Sequence, residues 1–186
     1  MPTIVVLVKQ VPDTNAKIAI NGQTVDLSAV KMVMSPYDEF ALETALLHKE
    51  AAGGEVTALT VGGPASEKIL KDAKAMGVDN IVRIESSDSM DTNALQTVLK
   101  EAISSLGAEV VYCGKSAADT GAGSTGPGVA ERLGWSSASN VISASFDGGL
   151  SVTAPGSGGN VRLNVPLPAV VSSSFPTPIV FTQTLA

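Results

Sequence analysis

The sequence predicts an α/β fold in which a parallel sheet carries helices on both faces and is followed by a small C-terminal β addition. Short apolar runs alternate four times with helix-like segments along residues 3–133. Repeated strand–helix units of this kind build a parallel sheet through right-handed crossovers. After Gly134 the chain changes to short β-type runs separated by Gly, Ser and Pro. These runs either extend the sheet or form a small antiparallel unit, and we expect residues 1–186 to form one domain.

A strand, a hairpin and a long helix come first along the chain. Residues 3–8 form an apolar run that is typical of a buried strand. Asn21-Gly22 separates β-type runs at 17–20 and 24–27, and this dipeptide favours a hairpin turn. Residues 36–52 predict the first helix.

The residue types around this first helix predict its boundaries. Ser35 suits the N-cap and Pro36 suits the first helical position. Asp38 stands where the acid of a capping box reaches back to the N-cap backbone. Gly53-Gly54 end the helix.

Three more strand–helix units follow. The clearest helix is 92–106, where apolar residues recur with helical spacing, Asp91 can cap the start and Gly107 follows the end. The other predicted elements are strands at 56–61, 81–84 and 110–113, a helix at about 65–76, a short helix ending near Leu133, and β-type runs at 138–145, 150–154, 161–165 and 168–172.

Composition and charge exclude several classes of protein. The 186 residues include 12 Lys and Arg against 18 Asp and Glu, whereas a nucleic-acid-binding protein needs clustered basic residues. No signal peptide and no stretch of about 18 apolar residues is visible. We therefore expect a cytoplasmic protein without nucleic-acid binding or direct membrane insertion. Cys113 is the only cysteine, and its apolar neighbours predict a buried strand thiol.

Four segments rich in polar residues or glycine are predicted to meet at one edge of the sheet. They are 9–14, 35–38, 61–64 and 114–128. In an open parallel sheet, ligands collect at the carboxyl ends of the strands, which is where these segments are expected.

The segment 114–128 is the strongest candidate for a binding site. Its small residues let backbone N–H groups face an anion, and the helix after it offers its positive N-terminal end. Ser116, Ser124 and Thr125 can donate hydrogen bonds to phosphate oxygens, and Lys115 adds a positive charge. We therefore expect a nucleotide phosphate here; the alternative is a flexible surface loop of small residues.

Two familiar nucleotide motifs fit this segment only in part. Gly114-Lys115-Ser116 resembles the end of a P-loop, but Glu109 stands where the first glycine is required. Gly121, Gly123 and Gly126 have the spacing of a dinucleotide fingerprint. That fingerprint should follow the first strand directly, whereas here it lies several residues beyond the fourth.

No catalytic or metal-binding arrangement is visible. The only histidine, His48, lies in the first long helix, away from the predicted ligand edge, and we expect it at the surface or half-buried. Without a histidine near the loop, no Ser-His-Asp or Cys-His arrangement can be built. No Cys/His cluster indicates a metal.

Several segments resemble the β subunits of electron-transfer flavoproteins, in order and at matching spacing over about residues 4–171. They are Val6-Leu7-Val8-Lys9-Gln10-Val11-Pro12-Asp13-Thr14, Val30-Lys31-Met32-Val33-Met34-Ser35-Pro36-Tyr37-Asp38-Glu39, Ala73-Lys74-Ala75-Met76-Gly77-Val78-Asp79, Gly114-Lys115 and Leu167-Pro168-Ala169-Val170-Val171.

The resemblance implies a Rossmann-like fold of the adenine nucleotide α-hydrolase-like type and an electron-carrier subunit that is not itself an enzyme. It implies AMP or FAD as cofactor, an α-type subunit as partner, and an acyl-CoA or other flavin dehydrogenase as electron donor. By position it places cofactor contacts at Leu7, Ser35, Pro36, Tyr37, Asp38, Val61, Gly114, Lys115, Ser116, Ala117, Asp119, Gly121, Gly123, Ser124 and Thr125. Lys9, from the segment after the first strand, completes the predicted set.

The chain departs from the family pattern in two places. The family's loop is rich in Asp, Asn and Gln, whereas Thr120-Gly121-Ala122-Gly123 follows Asp119 here, which leaves fewer side chains to contact ribose and phosphate. After Val171 the family has a recognition loop and a C-terminal arm that embraces the α subunit. This chain reads Ser172-Ser173-Ser174-Phe175-Pro176 instead, as in a short, diverged or truncated member.

Two alternatives stay open at this point. One is a stand-alone adenine-nucleotide sensor of the stress-protein kind. The other is an NAD-dependent enzyme that uses the three-glycine fingerprint.

Overall fold

The computed structural model of the chain describes residues 1–86 and 90–174, so the predicted departure beyond residue 174 lies outside the described residues. Within these ranges the helices are α1 (Pro36–Ala52), α2 (Glu67–Met76), α3 (Thr92–Ser105) and α4 (Thr125–Leu133). The strands are β1 (Thr3–Leu7), β2 (Gln10–Pro12), β3 (Ala19–Asn21), β4 (Thr24–Asp26), β5 (Met32–Met34), β6 (Glu55–Gly62), β7 (Asn80–Glu85), β8 (Val110–Gly114), β9 (Ser136–Val141), β10 (Ser143–Ser145), β11 (Ser151–Gly156), β12 (Gly159–Asn164) and β13 (Ala169–Ser173). None of the helices in these ranges has the length and apolar character needed to cross a membrane.

Six strands of the described chain form one parallel sheet in the order β7-β6-β1-β8-β13-β9. The chain winds outward from β1 to β6 and β7 and then crosses to β8, on the other side of β1. The winding direction therefore reverses between β1 and β8. Such a reversal leaves a crevice at the carboxyl ends of the two strands, where ligands of this fold class bind.

The side chains of β1 alternate between two buried layers, so the sheet is covered on both faces. Val5 and Leu7 belong to the layer beneath α3 and α4. Ile4 and Val6 belong to the layer beneath α1 and α2. The predicted α/β fold with helices on both faces of a parallel sheet is confirmed.

The helices end where the sequence predicts, although the Ser35 side chain makes no capping hydrogen bond at the start of α1. The Asp91 carboxylate accepts a 2.7 Å hydrogen bond from Ala94 N and caps α3. Gly77 ends α2 with a φ of 122°, and Gly53 ends α1 with a φ of 75°. Both angles lie in a region that glycine adopts without steric cost.

The region after residue 134 both extends the main sheet and forms a small antiparallel unit, the two possibilities that the sequence left open. β9 and β13 join the main sheet as its outer parallel strands. β10, β11 and β12 form a separate antiparallel sheet. Val152 and Val165 of this region share a buried cluster with Leu42 of α1, so the addition covers the α1 face of the core.

A β-ribbon between β1 and α1 was predicted only at its tip. The hairpin of β3 and β4 is confirmed, although the turn falls on residues 22–23, because Asn21 pairs with Thr24. The antiparallel pair of β2 and β5 at the base was not predicted. These two strands have three residues each and show no clear alternation.

The expectation that His48 lies at or near the surface is wrong. Its side chain is only 5% exposed. Its Nδ1 lies 2.9 Å from Tyr112 Oη, and its ring stacks on Phe146 with centroids 4.4 Å apart. Phe146 follows β10, so the C-terminal addition buries a position that looks exposed from the pattern of α1 alone.

Candidate functional site

A cavity of about 240 Å³ opens at the carboxyl ends of β1, β6 and β8, where the winding direction reverses. All four predicted segments reach it: Lys9 after β1, Asp38 in the first turn of α1, Val61 near the end of β6, and the segment from Gly114 onward. The cavity therefore lies where the topology of an open parallel sheet places a ligand.

Many of the predicted residues line this cavity directly. They are Leu7, Lys9, Asp38, Val61, Gly114, Lys115, Ser116, Ala117, Gly123 and Thr125. Thr120 and Ala122 of the predicted segment also line it. The lining further includes residues outside the predicted site, namely Val8, Leu59, Thr60, Met90, Thr92, Leu95, Leu99 and Cys113. Several of these belong to buried strands or to the apolar stripe of α3, where the sequence pattern assigns them to the core.

Asp38 joins two strand ends at the wall of the cavity. Its Oδ2 accepts a 2.8 Å hydrogen bond from Lys9 N, and its Oδ1 accepts a 3.0 Å bond from Gly114 N. Burial raises the pKa of this carboxyl to about 7, against the opposing effect of the two backbone N–H groups and the Lys9 charge. The predicted capping box is wrong, because Ser35 N donates to Lys9 O instead.

Lys9 and Asp119 form an ion pair at the solvent-exposed side of the cavity. Lys9 Nζ donates to both Asp119 carboxylate oxygens, at 2.8 and 2.7 Å. The pair connects the segment after β1 to the glycine-rich segment after β8. Asp119 itself is not among the residues that line the cavity.

The glycine-rich segment leads to the start of α4 with backbone groups available for an anion. Gly121 and Gly123 have φ angles of 62° and 65°, which residues with a Cβ rarely adopt. The Ser124 side chain makes no capping hydrogen bond to α4. The first N–H groups of a helix have no intrahelical acceptor, so here they can bind a phosphate.

Gln96 of α3 supports the end of this segment and was missed by the sequence analysis. Its side chain is 8% exposed, and its Nε2 donates a 2.9 Å hydrogen bond to Ser124 O. Arg132 Nε donates to Gln96 Oε1 at 3.3 Å. A single polar residue on a helix carries no pattern that would have revealed this contact.

One wall of the cavity is apolar, and a buried hydroxyl without a partner lies beside it in β6. Leu59, Leu95 and Leu99 contribute to this wall. Thr60 also lines the cavity and is 2% exposed, yet its Oγ1 has no hydrogen-bond partner in the described part of the chain. Thr60 directly follows Leu59 in β6, so its side chain lies on the other face of the sheet from the leucine wall. The apolar wall by itself suits a flat ring.

The remaining predicted residues lie beside the cavity and do not line it. Ser35 is fully buried at the start of α1, followed by Pro36 as the first helical residue. A Cβ placed on Gly114 would lie 2.7 Å from Tyr37 Cβ, so Tyr37 packs tightly against the end of β8. Gly121 N donates within the loop to Ala117 O at 2.8 Å.

Cys113 is buried at the end of β8, as predicted. Its Sγ lies 3.8 Å from Val171 O. Burial, followed by the nearby Asp38 charge, raises the pKa of this thiol, which disfavours a nucleophilic thiolate. Across residues 1–86 and 90–174, no group of three or more His, Cys, Asp or Glu side chains is placed to hold a metal ion.

Comparisons with known proteins point to one family. A family model described as "Electron transfer flavoprotein domain" matches residues 23–174. The chain is 38% identical over 136 residues to the acryloyl-CoA reductase electron transfer subunit gamma of Anaerotignum propionicum, which covers 70% of this chain and 51% of that protein. It is 39% identical over 140 residues to protein FixA of Azorhizobium caulinodans, which covers 70% of this chain and 50% of that protein.

A third relative is matched over more of its length. The chain is 31% identical over 172 residues to the electron transfer flavoprotein subunit beta of Syntrophomonas wolfei, covering 91% of this chain and 68% of that protein. The chain spans only about half the length of the first two relatives.

Proposed function

Since the chain belongs to the electron transfer flavoprotein domain family, we propose that it is a β-type subunit that binds AMP or FAD and helps to pass electrons from a dehydrogenase. The observation that carries the proposal is the cavity between the ends of β1 and β8. It combines a glycine-rich segment and the start of a helix with an apolar wall, which is the chemistry that a phosphate and an adenine ring require.

The residues around the cavity divide into three roles in this proposal. Backbone N–H groups of Gly123 and Thr125 hold the phosphate, together with the Lys9 and Lys115 charges. The apolar wall holds the ring. Asp38 keeps the two strand ends in place. The other predicted residues belong to the same proposed site; they are Leu7, Ser35, Pro36, Tyr37, Asp38, Val61, Gly114, Ser116, Ala117, Asp119, Gly121 and Ser124. In this proposal residues 1–186 form one domain around it.

The relatives' names support a role within a larger assembly. Two of them are named electron transfer subunit gamma and electron transfer flavoprotein subunit beta. By analogy, we propose an α-type subunit as partner, an acyl-CoA or other flavin dehydrogenase as electron donor, and no bond-making catalysis by this chain alone. When bound, FAD would supply the redox chemistry. A cytoplasmic location stays a prediction.

Titration calorimetry with AMP and with FAD tests the cofactor. We expect binding of at least one of them to the wild-type chain, and loss of that binding in Gly123→Val. A β-branched residue is strained at the φ of 65° found there. Gly148→Val is the matched control, because Gly148 has a φ of 70° and no atoms near its Cβ position, but lies outside the cavity lining.

Affinity in Gly123→Val equal to that of the wild type, with a near-native circular dichroism spectrum, would show that the loop is not the site. No affinity of the wild-type chain for AMP or FAD would overturn the proposal as a whole.

Co-elution with an α-type subunit tests the partner. We expect a heteromeric complex in size-exclusion chromatography, with a visible flavin absorption spectrum when FAD is present. A homodimer that binds ATP and takes no heteromeric partner would favour the nucleotide-sensor alternative. Selective binding of NAD would favour the enzyme alternative.

A further inference from the structure

The ion pair of Lys9 and Asp119 is built so that one partner can leave without moving the backbone. Lys9 N donates to Asp38 Oδ2 at 2.8 Å, and Lys9 O accepts from Ser35 N at 2.9 Å. These bonds fix the Lys9 backbone beside the cavity. Its side chain is 43% exposed, and in the described chain its Nζ is hydrogen-bonded to Asp119 alone. The ammonium group is therefore free to turn toward another anion.

Asp119 lies in a stretch of the loop that makes few other hydrogen bonds to the rest of the protein. Between residues 117 and 123, the backbone hydrogen bond found in the described chain runs from Gly121 N to Ala117 O and stays inside the loop. Gly121 and Gly123 add backbone freedom. The Lys9 contact is thus the polar link that holds this stretch against the end of β1.

We propose that Asp119 holds Lys9 while the cavity is free of ligand and releases it to the phosphate of a bound nucleotide. The pair then makes the site selective for phosphate-bearing nucleotides over uncharged nucleosides. This inference rests on the proposed function, because it takes the ligand to be an adenine nucleotide. Phosphate oxygens can replace the carboxylate as a charged acceptor for Lys9, whereas an uncharged nucleoside cannot.

The affinities of AMP and adenosine for single variants test the selectivity. In Asp119→Asn, Lys9 no longer has to leave a charged partner, so AMP should bind about two- to fivefold more tightly, the range that an exposed ion pair allows. Adenosine affinity should stay unchanged. In Lys9→Met, AMP affinity should fall about 10- to 150-fold, the effect of one charged hydrogen bond, again without change for adenosine.

Asp72→Asn is the matched control, because Asp72 forms an exposed pair with Lys68 on α2, away from the cavity lining. It should leave both affinities unchanged. When Lys9→Met and Asp119→Asn are combined, Asp119→Asn should no longer make AMP bind more tightly, because the two residues act through each other. Weaker binding of AMP and adenosine alike in Asp119→Asn would overturn the inference, since Asp119 would then be a ligand contact.

Hydrogen exchange of the ligand-free protein separates this inference from the proposed function. Amides at 117–123 should exchange several times faster in Asp119→Asn and in Lys9→Met than in the wild type or in Asp72→Asn. Unchanged amide exchange at 117–123 would show that the Lys9–Asp119 pair does not hold the loop in place, and would overturn this inference even if AMP binds. Faster exchange with no binding of AMP or FAD by any variant would instead overturn the proposed function and leave the pair as a structural contact.

Discussion

Asp38 links the ends of two neighbouring strands at the wall of the cavity. Each of its carboxylate oxygens accepts one backbone N–H, from Lys9 and from Gly114. A carboxylate suits this position because both of its oxygens are acceptors, whereas an amide would direct an N–H group at one of the two donors. Burial makes the charged form costly, so this contact links the cavity wall to proton binding.

We expect Asp38 to lower the stability of the protein as pH rises from about 5.5 to about 8. Its pKa is about 7 in the folded chain against an ordinary value of 3.8, so between these values the folded state binds more protons than the unfolded state. The stabilisation is complete below the unfolded pKa and is lost as pH rises through the folded pKa. Urea denaturation should show a decrease of about 2 kcal/mol in the free energy of unfolding over that range.

Asp38→Asn provides the reference for this measurement. Asn does not titrate, so the difference in unfolding free energy between wild type and variant should change with pH by the amount expected for Asp38. His48 acts in the opposite direction, because burial lowers its pKa, but it is present in both proteins and cancels. The same pH dependence in wild type and variant would contradict the assignment to Asp38.

Single residues show most clearly what the sequence can and cannot predict. Asp38 is recognisable from the sequence as a candidate, but local capping rules predict a bond to its own helix. The real partner Gly114 lies 76 residues away. Thr60 and Gln96 fit the patterns of a strand and a helix, so nothing local reveals that one lines the cavity and the other supports the loop.

At the scale of elements, the start of α1 packs directly against the end of β8. A Cβ on Gly114 would meet the Asp38 carboxylate, and would lie 2.7 Å from Tyr37 Cβ and 2.8 Å from the Tyr37 carbonyl carbon. Two of these contacts involve atoms that cannot move without shifting the helix. Glycine at this position is therefore a requirement of helix–strand packing.

Gly114→Ala should destabilise the protein by about 1–3 kcal/mol, the usual cost of overpacking, and should weaken AMP binding by breaking the Asp38 contact. Gly63→Ala is the control, because Gly63 follows the end of β6 and its Cβ would find Ser86 O at 3.9 Å, an ordinary contact. Chemical denaturation and calorimetry of the two variants measure both effects. Equal stability of the two variants would show that α1 can shift at no cost.

Elements with strong local signals were predicted correctly, and those that depend on distant partners were not. Capping residues and glycines marked α1, α2 and α3 to within a residue or two. β2 and β5 are only three residues long and exist because they pair with each other. The runs that become β9 and β13 were predicted, but their places in the main sheet depend on pairing, β13 with β8 and β9 with β13.

At the scale of the whole molecule, the position of the site follows from the order of the strands. That β8 lies beside β1 cannot be derived from local patterns, since the strand–helix repeat is compatible with several orders. The convergence of the four predicted segments was nevertheless expected, because the carboxyl ends of parallel strands always share one edge. The sequence therefore predicts the edge at which the proposed site lies, and the strand order determines the crevice.

A ligand bound at this crevice should stabilise the entire fold, because the cavity joins β1, β6, β8, α1 and the segment before α4. A ligand that binds only the folded state at about 100 times its dissociation constant adds about 2.7 kcal/mol. For a chain of this length, that corresponds to a rise of about 5–10 °C in Tm. Differential scanning fluorimetry with AMP or FAD measures the rise. Gly123→Val should show no rise and Gly148→Val a full one, because strain at the first disables the loop whereas the second lies outside the cavity lining. An equal rise in both variants would mean that the stabilising ligand binds elsewhere on the molecule.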